Sequence, residues 1–303
     1  MEAERESTHP ENIFGEESNK KTSVIIPTVN RPDQIYKLAI SLIALDSLEE
    51  LIIVDQSEEG NRKLEALSQE DQRIRIIKSS RKGSPYAKNL GAKFAEGKIL
   101  IFLDDDVEIH GDIISAHLKA YKNSNIGAVG GKVIEKPEKI FPDSWVGKVK
   151  LWSFIVRGHF NSNKRQFIDT AVSCNMSIRK SLFDLLGGFD EGFKGNAIFE
   201  ETDLCLRLKK EGYKILFEPL AIITHHKVPF GGNRVDRLSF YFWLIANNLR
   251  LFLKNFPSPI LPFFLFLQII RLIKKALQEK DFNILKVGIK GICYALKNRP
   301  QKI

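Results

Sequence analysis

Four short apolar runs open the ordered part of the chain: Val24–Ile26, Leu51–Val54, Ile74–Ile77 and Ile99–Leu103. Each is bounded by polar or turn-forming residues. Within each run the apolar positions are largely continuous and do not alternate, the pattern of strands covered on both faces. Stretches of helical character separate them, from Asp33 to about Leu45, Asn61 to Ser68 and Tyr86 to Glu96. The alternation β-α-β-α-β-α-β predicts an α/β fold, a mostly parallel sheet with helices on both faces. Such sheets bind ligands at the carboxyl ends of their strands. The polar residues that follow each run are therefore the first candidates for chemistry.

Three runs end on such residues. The first leads into Pro27-Thr28-Val29-Asn30-Arg31-Pro32, the second into Asp55-Gln56-Ser57 and the fourth into Asp104-Asp105-Asp106. Three adjacent carboxylates after Ile-Leu-Ile-Phe-Leu repel one another unless a cation neutralises them. Mg²⁺ or Mn²⁺, with its preference for oxygen ligands, fits that need. Asp104 and Asp106 share one face of an extended chain and Asp105 the other. A solvated acidic turn is the structural alternative for the triplet.

A second acidic group, Glu200-Glu201-Thr202-Asp203, precedes a helix expected from Asp203 to Glu211 and stopped by Gly212. Carboxylates also gather at helix starts simply because the macrodipole favours them there. A third group follows the apolar run Leu220–Thr224: His225-His226, then Pro229 and Gly231-Gly232-Asn233-Arg234. One of two histidines before a Gly-rich loop can ligate a metal, and Arg234 can meet phosphates if that loop closes. The chain has no G-x-x-x-x-G-K-[ST] loop, no G-x-S-x-G elbow and no H-E-x-x-H.

Taken in order, these segments resemble the family-2 glycosyltransferases with the nucleotide-binding GT-A fold. The resemblance spans about residues 21–250. It rests on Val24-Ile25-Ile26-Pro27-Thr28-Val29-Asn30-Arg31, on Ile52-Ile53-Val54-Asp55-Gln56-Ser57 and on Gly83-Ser84-Pro85-Tyr86-Ala87-Lys88-Asn89-Leu90-Gly91. It continues through Phe102-Leu103-Asp104-Asp105-Asp106, Gly187-Gly188-Phe189-Asp190-Glu191 and Phe199-Glu200-Glu201-Thr202-Asp203-Leu204. Lys88 stands where the family usually has Arg, and Glu201 where it usually has Asp.

The resemblance implies a nucleotide-diphosphate sugar as donor and a glycan or lipid-linked hydroxyl as acceptor. It places Pro27, Thr28, Asn30, Arg31, Asp55, Lys88, Asp104, Asp105 and Asn175 around the donor. Asp104, Asp106 and His225 would surround a divalent cation, Mg²⁺ or Mn²⁺. Glu201 would be the base of an inverting displacement, with Glu200 as the other candidate. Glu200, Asp203 and Arg234 would support the site or the acceptor.

Composition adds where the charge lies. The chain of 303 residues has a net charge of +9, yet residues 231–303 hold thirteen Lys/Arg and three Asp/Glu. The basic excess thus belongs to the C-terminal segment. Leu238, Phe242, Ile245, Leu249, Phe252 and Phe256 fall on one helical face, prolines follow, and then comes Phe263–Ile270 with Arg271, Lys274 and Lys275 behind it. The run is too short to span a bilayer and joins a basic face, as interfacial helices do. This predicts basic amphipathic helices over 236–303 on an anionic membrane surface, at its cytoplasmic face, and no nucleic acid partner. Packing on the core or on a second copy, as a homodimer, is the alternative. Three well-separated cysteines argue for a reducing compartment. Residues 1–20, with six Glu and no apolar run, read as a disordered acidic tail and not a signal peptide. The expected organisation is then a nucleotide-sugar half over 21–110, an acceptor and catalytic half over 111–235, and the C-terminal helices.

Two other classes fit less well. A sugar-nucleotide pyrophosphorylase should carry a Gly-rich loop after its first strand, and Pro-Thr-Val-Asn-Arg-Pro has none. A non-catalytic, membrane-associated scaffold derived from a transferase would tolerate loss of the carboxylates, and Asp104, Asp106 and Glu201 are all acidic.

Overall fold

The computed structural model describes residues 21–138, 142–150 and 155–300. The expected acidic tail lies outside the described residues. The elements run β1 (Thr22–Thr28), α1 (Pro32–Ile43), β2 (Leu51–Asp55), α2 (Arg62–Glu70), β3 (Ile74–Lys78), α3 (Ser84–Phe94) and β4 (Ile99–Leu103). They continue with β5 (Val107–His110), α4 (Ile113–Ala120), β6 (Ile126–Glu135), β7 (Lys148–Lys150), β8 (Ile155–Arg157), β9 (Gln166–Ile168), β10 (Asn175–Arg179) and α5 (Lys180–Leu185). The last are α6 (Glu200–Lys210), β11 (Lys214–His225), α7 (Arg237–Asn255), α8 (Leu261–Glu279) and α9 (Asn283–Lys297).

The four apolar runs are β1 to β4, and they form a parallel block in the order β3-β2-β1-β4. Every residue of β2 and β4 is buried, which explains their unbroken apolar sequence. Register places Thr28 level with Asp55, and Ile25 level with Phe102. The polar residues after β1, β2 and β4 therefore reach the same rim. Beyond β4 the sheet continues as β10-β6-β11-β5, with β10 antiparallel to both neighbours and β11 parallel to β6. This is the mixed α/β architecture with a C-terminal helical region that the apolar pattern predicts.

Local chemistry sets the helices. Pro32 opens α1, and the Asn61 side chain caps α2 by accepting the Leu64 amide at 3.3 Å. α3 lies tight on β1 because Gly91 has no side chain: a Cβ there would stand 2.5 Å from Ile25 Cγ2. α6 starts three residues earlier than the sequence suggested. Phe199, at φ 77°, turns the chain into the helix, so Glu200 and Glu201 both occupy its first turn.

One buried feature ties the halves together, and a second braces the later half. Phe102, Phe183 and Phe189 form an aromatic cluster with centroids 5.1–5.5 Å apart. A polar trio sits behind it: His117 Nε2 meets Asn175 Oδ1 at 2.9 Å and His117 Nδ1 meets Ser177 Oγ at 2.9 Å. The three C-terminal helices pack together, α7 against α9 and against α6. Among the described residues no helix is long and apolar enough to cross a membrane.

Candidate active site

The rim of the sheet opens into a cavity of about 420 Å³. The end of β1 supplies Pro27 and Thr28, the turn after it Arg31, the turn between β4 and β5 Asp104, Asp105 and Asp106, and β11 supplies His225. Lys88 from α3 and Glu200 and Glu201 from α6 form the facing wall, and Arg234 the rim of the Gly-rich loop.

The three aspartates lie in the turn between β4 and β5 and have separate roles. Asp105 turns inward, where its Oδ2 accepts the Thr28 hydroxyl at 2.7 Å and its Oδ1 pairs with Arg31 at 2.6 Å. Burial raises its pKa to about 6 against those two partners. Asp104, Asp106 and His225 instead converge, each offering a ligand atom within 4.8 Å of the others. His225 Nε2 lies 3.1 Å from Asp106 Oδ1 and 3.9 Å from Asp104 Oδ2. Two carboxylate oxygens and one imidazole nitrogen suit a small divalent cation such as Mg²⁺ or Mn²⁺, so the residues present fit such an ion.

Burial opposes charge on both Asp106 and His225, but their mutual hydrogen bond outweighs it. Asp106, helped by Arg31 and the Val228 amide, falls to about 2, and His225, helped by Cys174, rises to about 11. To become a ligand His225 would give up that proton. Arg31 does not present a free guanidinium to the cavity. It is 5% exposed and bonds Asp105 and Asp106, while Nε and Nη2 donate to the Phe230 and Val228 carbonyls. It staples the β1 turn to the loop after β11. Arg234 is 44% exposed and stands 3.6 Å from Asp106.

The facing wall is organised by Lys88. Its side chain is 1% exposed, and the ammonium bonds Glu200 Oε1 at 2.6 Å and Ser173 Oγ at 2.7 Å, with Asp104 at 3.9 Å. Burial opposes the charge, yet Glu200 and Asp104 raise its pKa above the usual lysine value. Glu200 is thus committed to a buried ion pair. Glu201 lines the same cavity half-buried, and no neighbouring cation pairs with it among the described residues. Desolvation first, and then the charge of Glu200, raise its pKa to about 8.

Four sequence candidates lie off the cavity. Asn175 is fully buried, its amide shared among His117 and the Lys132 and Ala221 carbonyls, so its side chain does not line the cavity. Ser173, two residues earlier, faces the cavity in its place. Asp55 is buried under Lys78 at 2.6 Å and caps the Ser57 amide, leaving Gln56 on the lining. Asn30 is exposed and contributes its amide to Ser57. Asp203 is buried with Arg207, Lys254 and Asn255, a brace between α6 and α7. The cavity also gains residues that the sequence analysis did not single out: Asn196–Ile198, just before the acidic group, and Phe240 on α7, off the apolar face that the periodicity marks.

Comparison with known proteins accords with this geometry. Residues 23–187 match the family model described as glycosyl transferase family 2. The chain belongs to that family. An uncharacterised glycosyltransferase of Bacillus subtilis, YfnE, is 33% identical over 265 residues, covering 71% of this chain and 67% of that protein. The O-antigen biosynthesis protein RfbC of Myxococcus xanthus is 25% identical over 232 residues, 68% of this chain. The chain spans only 17% of RfbC and 25% of the uncharacterised protein y4gI of Sinorhizobium fredii, which it matches with 25% identity over 70% of its own length.

Two solved structures share the fold. GalNAc-T7, solved with UDP, GalNAc and Mn²⁺, aligns with a TM-score of 0.60 at 18% identity over 77% of this chain and 48% of its own. The mannosyltransferase PcManGT of Pyrobaculum calidifontis, solved with GDP-Man and Mn²⁺, aligns with 0.58 at 16% identity over 93% and 76%. The architecture is therefore that of the GT-A glycosyltransferases.

Proposed function

We propose that the protein moves a sugar from a nucleoside-diphosphate donor to a hydroxyl of a glycan or lipid-linked acceptor, with inversion and with a divalent cation. The observation that carries this reading is one cavity holding both the Asp104, Asp106 and His225 group and the unpaired carboxyl of Glu201. Asp104, Asp106 and His225 would hold the cation, whose chemistry is to neutralise charge that develops on a departing diphosphate. Arg31 and Thr28 hold Asp105 and the strand end in place, so the ligand atoms are preorganised. Arg234, exposed at the rim and only loosely paired with Asp106 at 3.6 Å, would turn to meet the diphosphate. Glu201 accepts the proton of the attacking hydroxyl as its oxygen bonds the anomeric carbon and the bond to diphosphate breaks. Glu201 is preferred to Glu200 as base because Lys88 neutralises Glu200, and a carboxylate in a tight ion pair is a weak base.

The solved relatives that bind UDP or GDP-Man with Mn²⁺ support the donor class and the cation. The C-terminal helices, with exposed apolar residues beside lysines, support peripheral attachment to an anionic membrane surface.

Thermal stabilisation tests the centre directly. UDP, GDP, CDP and dTDP are each added with Mn²⁺, with Mg²⁺ or with EDTA. A ligand at a hundredfold excess over its Kd stabilises by about 2.7 kcal/mol. One diphosphate should raise Tm with the metal, not with EDTA and not in Asp106→Ala. Glu201→Gln should keep the shift and lose transfer by a factor on the order of 10²–10⁴. No shift with any diphosphate in folded protein would overturn the reading.

A further inference from the structure

A second cavity, of about 360 Å³, adjoins the first. The two meet at two places. Lys227 lines both, and Val172 lines the second while its neighbour Ser173 lines the first. Lys227 also sits between His225 and Val228, whose amide donates to Asp106 Oδ2 at 2.9 Å. The second cavity therefore stands one residue from the carboxylate and imidazole cluster, along a stretch of backbone that the cluster itself fixes. Lys227 is held there at φ 52°, an unusual conformation for a side-chain-bearing residue.

Its lining has a mixed character. Val133, Phe160 and Val172 make an apolar floor, and the Val133 amide donates to the Phe160 carbonyl at 2.9 Å, which closes that floor. Above it stand Lys136, His159 and Asn161. Lys227 is already neutralised by Glu135, 2.6 Å away. Lys136 pairs with no carboxylate among the described residues, although it is exposed at the same rim. An ammonium that no described carboxylate pairs, over an apolar floor and beside an imidazole and the Asn161 amide, whose Nδ2 donates to Glu138 Oε1 at 2.7 Å, is complementary to a polyhydroxylated ring that carries an anion.

We propose that this cavity is the acceptor subsite, and that it takes a sugar bearing an acidic group, a phosphate ester or a carboxylate, which Lys136 recognises. This rests on the reading of the first cavity as the donor site. A sugar seated on Phe160 with its anion at Lys136 would send its far edge past Lys227 and Ser173 toward the first cavity. The charged end sets the register, and the hydroxyl that reaches across is the one glycosylated.

Amide resonances of the isotopically labelled full chain test this with three probes: α-glucose 1-phosphate, glucuronate and methyl α-glucoside. At least one anionic probe should shift Lys136, His159 and Asn161, and which of them binds identifies phosphate or carboxylate. The neutral glycoside should shift them about tenfold less at equal concentration, and Lys136→Glu should weaken the anion by about tenfold or more. Lys136→Arg should restore it. No shift with either anion, equal shifts with the neutral glycoside, or unchanged shifts in Lys136→Glu would overturn the proposal. UDP, GDP, CDP and dTDP, each with diamagnetic Mg²⁺, are titrated into the same sample. Shifts near Thr28 and Asp104 with a silent second cavity would reject the acceptor subsite and leave the donor site standing. The converse pattern would reject the donor reading and with it the acceptor role, leaving only an anion site at Lys136.

Discussion

Glu200 and Glu201 share the first turn of α6 and the same cavity wall, yet their charges stand differently. Lys88 fixes the first at 2.6 Å, while the second faces the cavity with its pKa raised to about 8. If Glu201 is the base, only its ionised form works, so kcat/KM should rise with pH through about 8 and level off above. A profile flat between pH 6 and 9 would exclude it. His117 carries a separate pH effect, on stability. Burial lowers its pKa from the ordinary 6.5 to about 4, with Asn175 holding it back. The unfolded chain takes up this proton near 6.5 and the folded one only near 4, so stability is intact above 6.5 and falls as pH drops between those values. The loss amounts to about 3 kcal/mol at the low end. His117→Gln should flatten the fall of Tm between pH 6.5 and 4.

α3, the turn at Gly187–Glu191 and α7 form one mechanical chain. The Asn89 amide donates to the Phe189 carbonyl at 2.8 Å and its oxygen accepts the Phe189 amide at 2.9 Å. Asp190 then pairs with Arg250 and Lys254 of α7, at 2.9 and 2.8 Å, and its pKa falls to about 2 as these partners overcome burial. α7 also holds the segment just before Glu200, since Asn247 bonds both the amide and the carbonyl of Lys194. Gly195 lies so close to Trp243 that a Cβ would stand 2.2 Å from the ring, at φ 64°. Gly195→Ala should therefore destabilise the fold by about 1–3 kcal/mol. Because Glu201 lies downstream of the same segment, turnover should fall more than donor affinity. Equal Tm and turnover to the parent would show that α7 does not hold this segment.

The net positive charge gathers on the three C-terminal helices, and so does exposed apolar surface. α8 is apolar on two faces. Phe264, Leu272 and Ala276 are buried in the bundle, whereas Phe263, Phe266, Ile270, Ile273 and Leu277 are exposed on the spacing of a single stripe. Such a stripe beside Arg271, Lys274 and Lys280 suits the interface of an anionic bilayer. Phe266→Asp with Ile273→Asp should abolish sedimentation with phosphatidylglycerol vesicles and leave Tm within about 2 °C, since both positions are exposed. Retained binding, or a change from dimer to monomer instead, would assign the stripe to a second copy.

The first four strands, their order along the chain and the acidic groups at their ends are legible in the sequence alone, because continuous apolar runs and strand-end chemistry are local properties, whereas β5 to β10 carry no such run and are not anticipated by it. The separation of Asp105 from Asp104 and Asp106 matches what alternation suggests, although the three residues form the turn between β4 and β5 and not an extended strand. What packing alone decides involves partners far apart in the chain. Lys88 and Glu200, 112 residues apart, form the pair that distinguishes two adjacent glutamates. His117 and two carbonyls draw Asn175 into the sheet while Ser173 turns to the cavity, a choice that depends on where β10 begins. α7 reads as part of a basic appendage in sequence, yet its Phe240 lines the cavity and its cations hold Asp190 and Asp203. Periodicity shows which face of a helix is apolar. It does not show what that face, or the polar one, will meet once the chain closes on itself.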